Sequence, residues 1–245
     1  MSLHPADLPD LPAHLRPAPL TRRPARAGPT ISPAPGVVLQ CARMHELCGP
    51  ARHTAALWLA GATQGPVLWI TPERGTGALN PDGMVQWADP GRFVFATARR
   101  DTDILWCAEE ALRAGVMPLV VIELPAPPAL TPVRRLHLAA AASGTAPLGL
   151  IVTPGDGGAA GVDSRWHMAP DHAPERSAWR LQRRRDRSLP PAEWRLARAA
   201  RGLELRPAKA DPAAPADQPA VGDQIATGHA PRGDHPSPGV SPPLR

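Results

Sequence analysis

The chain has 245 residues, 43% of them hydrophobic, enough for one substantial core and too few for two. It contains no apolar run near the ~20 residues a membrane span needs and no continuous apolar stretch of a secretory leader near its start. Its three cysteines form no even disulfide set, so a reduced, cytoplasmic protein is expected.

The net charge of +5 is concentrated. Residues 176–206 hold ten arginines against Asp186, Glu193 and Glu204, a local balance of +7 that leaves −2 for the remainder. The 34 prolines are concentrated too: nine precede residue 36 and nine lie from Pro207 onward. Both ends are also poor in large apolar residues, so burial there cannot offset the entropy of ordering. Segments 1–36 and 207–245 are therefore expected to be disordered around a core of 37–206.

Within that core, Arg43–Cys48 is a short, partly apolar segment ending at Gly49. Residues Arg52 to Ala62 are rich in Ala, Leu and Trp and read as a helix. Pro66–Thr71 (P-V-L-W-I-T) is a compact buried strand between Gly65 and Pro72. Asn80-Pro81 supplies an N-cap and a first-turn proline for a short helix to about Trp87, and Asp89-Pro90-Gly91 makes a turn. Arg92–Thr97 is strand-like. Asp101 or Asp103 caps a helix whose Ile104, Leu105, Ala108, Ala111 and Leu112 share one face before Gly115.

Pro118–Leu124 (P-L-V-V-I-E-L) has the continuous apolar run of a parallel-sheet strand. Thr131-Pro132 opens a helix through Ala142 that stops at Gly144, and Leu148–Val152 is a further buried strand. Alternation of strands and helices over 43–152 predicts a mostly parallel α/β sheet covered on both faces. Beyond Gly155-Asp156-Gly157-Gly158, the segments W-R-L-Q-R-R and E-W-R-L-A-R within 178–198 read as an appended antiparallel basic hairpin. A helix over 193–201 is the competing reading, because Ala and Arg favour it.

The strand–Gly-Pro–helix junction at 45–60 sits where a phosphate-binding loop would. Such a loop needs G-x-x-x-x-G-K-[ST]: glycines for close backbone approach, a Lys for the outer phosphates, a hydroxyl for Mg²⁺. Gly49 is present, but Thr54, Ala55 and Ala56 stand in place of Gly, Lys and Ser/Thr. Neither ATP hydrolysis nor any cofactor is expected. Cys41, Cys48 and Cys107 read as buried small hydrophobes. His45, His53 and His137 are scattered, with no metal-ligand spacing, and Glu109-Glu110 reads as a solvated helical pair.

The order E-L-C-G-P-A-R-H-T-A-A-L, V-L-W-I-T-P-E, W-C-A-E-E-A-L-R-A-G-V-M-P-L-V-V-I-E-L, then W-R-L-Q-R-R-R-D-R-S-L-P-P-A-E-W-R-L resembles the RecA recombinase core. It extends over roughly 40–206. Within that superfamily the chain is most similar to the ImuA family of mutagenesis accessory proteins, sometimes described as SulA-like. The resemblance implies a RecA-like three-layer fold and a non-catalytic role in damage-induced (SOS) translesion synthesis. The partners it implies are an ImuB-like polymerase-family protein, RecA and an error-prone replicative-type polymerase; single-stranded DNA is a further candidate. Carried over by position, Gly49 and Thr54 fall in the nucleotide loop, Glu73 after the second strand and Glu123 at the end of the Walker B strand.

The stronger positive signal is the set Arg180, Arg183, Arg184, Arg185, Arg187, Arg195 and Arg198, interleaved with Trp179 and Trp194. Strand alternation is expected to put several guanidinium groups on one side and Trp and Leu on the other. Phosphate contact and docking to a protein surface both fit such a face. A RecA-like ATPase with an atypical loop and a SulA-like division inhibitor are the alternative functions.

Overall fold

The computed structural model describes residues 28–74, 79–199 and 202–207. Its centre is a nine-stranded sheet. In chain order the strands are β3 (Met44–Cys48), β4 (Val67–Pro72), β5 (Phe93–Ala98), β6 (Leu119–Glu123), β7 (Leu148–Val152), β8 (Ser164–Pro170), β9 (Ala178–Asp186), β10 (Ala192–Ala199) and β11 (Gly202–Pro207). Across the sheet they run β11-β10-β9-β8-β3-β7-β6-β4-β5. From β8 to β5 neighbouring strands are parallel, and from β8 to β11 they are antiparallel. The expected mixed α/β architecture is the one observed.

The apolar runs end up where continuous hydrophobicity places them: every residue of β3, β6 and β7 is buried. Two core layers result. On one face α1 (Arg52–Gly61) covers Leu47, Trp69, Val121, Leu150 and Trp166. On the other, α3 (Asp101–Ala114) and α4 (Leu130–Ala142) cover Met44, Ile70, Ile122 and Ile151. The stop signal at Gly115 is borne out, since it closes α3 in the left-handed conformation with its N–H on Ala111 O. The short α2 (Pro81–Met84) starts as expected, with the Asn80 side chain accepting from Asp82 N–H. None of the helices described is long and apolar enough to cross a membrane.

Two expectations need correction, and one choice between readings is decided. Order begins earlier than residue 37: β1 (Thr30–Ala34) pairs antiparallel with β2 (Val37–Gln40), and Ile31, Val37 and Leu39 join the α1-side core. Residues 1–27 and 208–245 lie outside the described residues. Of the two readings of 192–199 the strand of an antiparallel hairpin is the one observed, with Trp194 and Leu196 reaching the core from an extended backbone in register with Leu181 and Trp179. Strand β8 was not anticipated, although Ser164, Trp166 and Met168 alternate buried with half-buried Arg165 and His167.

Glu109 is also not solvated. It is buried and bridges Arg113 (2.6 Å) and Arg135 (2.7 Å), tying α3 to α4, while Glu110 pairs with Arg113.

Candidate functional site

The loop between β3 and α1 decides what the nucleotide position can do. A phosphate site needs free, convergent backbone N–H groups. Here Gly49 N–H donates to Gly155 O (2.8 Å), Ala51 N–H to Met168 O (3.0 Å) and Arg52 N–H to Gly49 O (3.3 Å), and Pro50 has none to give. Of the first loop amides, that of Gly49 is thus engaged by the Gly-rich loop after β7, that of Ala51 by β8 and that of Arg52 by Gly49 itself. The cause is close packing. Gly49 sits at φ +90°, and a Cβ there would lie 2.4 Å from Met168 O, so glycine serves the approach of two backbones. Thr54 lies half-buried inside α1.

A cleft of about 830 Å³ opens beside this loop, at the C-terminal ends of β4, β6 and β7. Arg52, Glu73, Arg99 and Glu123 line it. Glu123 is buried and accepts from His53 Nε2 at 3.0 Å. Glu73 is half-exposed and paired with Arg99 at 2.9 Å. The structure therefore gathers Glu73 and Glu123 at one cleft, with Glu73 paired to Arg99 and Glu123 hydrogen-bonded to His53.

Glu46, two residues before Cys48, has a structural task. Fully buried, it accepts from Thr153 Oγ1 (2.7 Å), Gly158 N–H (2.8 Å) and Ala159 N–H (3.0 Å), and it pairs with Arg165. One carboxylate thereby folds the 153–159 loop onto β3. Gly157 allows the approach, since a Cβ would lie 2.8 Å from Glu46 Oε1. The histidines read as scattered are satisfied as well: His45 bonds Ser164 Oγ (2.6 Å) and Gln40 O (2.9 Å), and His137 bonds Met44 N–H and Gly161 O (both 3.2 Å). Cys41 and Cys48 are buried, and desolvation pushes the Cys48 thiol up to about 11 with help from the Glu46 charge.

The seven arginines do not form one surface. Arg183 is buried between Trp166 and Trp194, 5.6 and 5.1 Å from their rings, and donates to Pro190 O (2.9 Å) and Gly36 O (3.2 Å). It belongs to the α1-side core together with Trp179, Leu181 and Leu196, so its reading as a contact residue does not hold. Arg198 leans over the Trp87 ring at 5.8 Å on that side and bonds Gln86.

A bulge causes the redistribution further along. Consecutive Arg165 and Trp166 pair with Arg185 and Arg183, so Arg184 is the extra residue and the alternation resets there. Arg187 folds back on Asp163, its Nε 3.7 Å from the carboxylate. That leaves Arg180, Arg184 and Arg195 on the sheet face opposite the tryptophans, with Arg185 exposed at the bulge.

No known family model matches the chain, and no curated protein matches it.

Proposed function

We propose that this chain is a RecA-like accessory protein without ATPase activity. Its role is to scaffold damage-induced translesion synthesis, bringing RecA or DNA to an ImuB-like polymerase-family protein and an error-prone replicative-type polymerase. One observation carries the non-catalytic part: the amides of Gly49, Ala51 and Arg52, which a nucleotide would need, all donate to carbonyls of the chain itself. The lining of the cleft supports it further, since Glu73 is paired with Arg99, Glu123 is hydrogen-bonded to His53, and the loop has no lysine. The parallel order β8-β3-β7-β6-β4, with the loop strand one strand away from the Glu123 strand, supports the RecA-like part. The setting in mutagenesis comes from the resemblance of the sequence to the ImuA family.

Co-purification of the tagged protein from damaged and undamaged cells, after nuclease treatment, tests the role. Damage-dependent recovery of RecA and polymerase-family proteins that survives nuclease is the expected outcome. Recovery of neither class under any condition overturns it.

A further inference from the structure

The two faces of the β8–β10 half of the sheet are built differently. One packs Trp166, Trp179, Leu181, Trp194 and Leu196 into the core. The other is left without a helix among the described residues, because α3 and α4 lie over β3 to β7. On this bare face Arg180 and Arg195 stand directly opposite each other across β9 and β10, and the register continues from Arg195 to position 206, also an arginine. Adjacent strands lie ~4.8 Å apart, and like charges placed directly opposite destabilise a sheet. Arg184 extends the row along β9 and is close enough, like Arg180, to bear on His167.

We infer that this face is a binding site for the phosphate backbone of nucleic acid, with Arg180, Arg184 and Arg195 as its contacts. Three observations select that occupant. The acids on or beside this face are exposed: Asp156 pairs with Arg184 (2.7 Å), Asp171 with Arg195 (2.9 Å), and Glu193 accepts from Gln182 (2.6 Å); water screens such contacts, so phosphate can displace them. Arg180 has no carboxylate partner among the described residues. Among the described residues the face also carries no exposed large apolar side chain: those that are exposed, such as Phe95, Trp106 and Leu138, lie on β5, α3 and α4. A protein-docking surface is organised around buried aromatic or aliphatic anchors, whereas backbone phosphates ask only for guanidinium groups. With Trp179 and Trp194 buried on the opposite face, base stacking has no part in the contact.

The inference deepens the accessory reading and rests on it for its biological setting, but its test is independent of polymerase partners. Fluorescence anisotropy of a labelled thymidine 30-mer and of a mixed-sequence duplex is followed over 50–200 mM salt. Binding to both is expected, with a log–log salt slope of about −2 on the single strand, three phosphates at ~0.7 each. Arg180→Glu with Arg195→Glu is expected to weaken binding at least tenfold, whereas Arg134→Glu on exposed α4 leaves it unchanged. Circular dichroism melts keep folding separate from binding, and Arg180→Gln with Arg195→Gln serves if the reversal perturbs the sheet.

Undiminished binding by a folded double variant overturns the site. So does a strong single-strand preference with tryptophan quenching. Binding of polyglutamate through the same arginines with no binding of either nucleic acid assigns the face to acidic proteins instead and overturns the inference as well. None of these outcomes alters nuclease-resistant co-purification, so the two readings fail separately.

Discussion

Arg180 and Arg183 lie three positions apart on one strand and meet opposite environments. Arg180 stands on the bare face, while Arg183 is held between two indole rings with its guanidinium donating to backbone carbonyls. Buried cation–π contacts contribute up to ~2 kcal/mol, and carbonyls left unsatisfied cost about 1–3 kcal/mol. Arg183→Ala is therefore expected to lower unfolding free energy by roughly 2–4 kcal/mol. Arg180→Ala should stay within about 0.5 kcal/mol. Urea titration of the two variants checks the contrast. An equal, small effect at both positions contradicts the buried assignment. Composition placed both arginines in one cluster, and only strand pairing separates them.

At the scale of elements, α4 is anchored to β3 through His137. Its Nδ1 accepts from Met44 N–H and its Nε2 donates to Gly161 O, so the neutral ring fits and the imidazolium does not. Burial, with Arg43 and Arg187 nearby, moves its pKa below the ordinary 6.5, outweighing the opposing Gly161 hydrogen bond and Asp163 charge. His167 is shifted downward too, by burial and then by Arg184. The folded state thus binds fewer protons than the unfolded chain just below pH 6.5, and stability falls as pH drops through that value. Denaturant midpoints at pH 7.5 and pH 5.5 are expected to show this loss, and His137→Gln should reduce the difference. A midpoint independent of pH over that range, or one rising on acidification, contradicts the anchoring role.

Elements were legible in the sequence to unequal degrees. The runs V-L-W-I, L-V-V-I and L-G-L-I-V read as strands because a strand buried on both faces leaves a continuous apolar trace. Strand β1 carries Pro33 and lies in a proline-rich stretch, which masked a hairpin held by Ile31 and by the Gln40 side chain donating to Pro29 O. Strand β8 was hidden by Arg165 and His167, whose polarity is answered by Glu46, far off in the chain, and by Asp156 in the preceding loop.

For the molecule as a whole, the central question is whether the cleft at the strand ends takes a nucleotide. A ligand that binds only the folded state at a hundred times its dissociation constant adds about 2.7 kcal/mol. With the loop amides engaged, 5 mM Mg·ATP is expected to leave the melting temperature unchanged. A rise of several degrees would restore the ATPase reading.

By itself, the sequence determined the alternation of strands and helices, the missing lysine and hydroxyl of the nucleotide loop, and the concentration of arginine near the C-terminal end. Those are matters of local pattern and chemical identity. Only the tertiary structure decided that the loop amides are spent on Gly155 and Met168, that Glu46 secures a loop more than a hundred residues away, and that one arginine is core while its neighbours face outward. Such outcomes depend on which strand lies beside which and on a single bulged residue, and no local pattern records either.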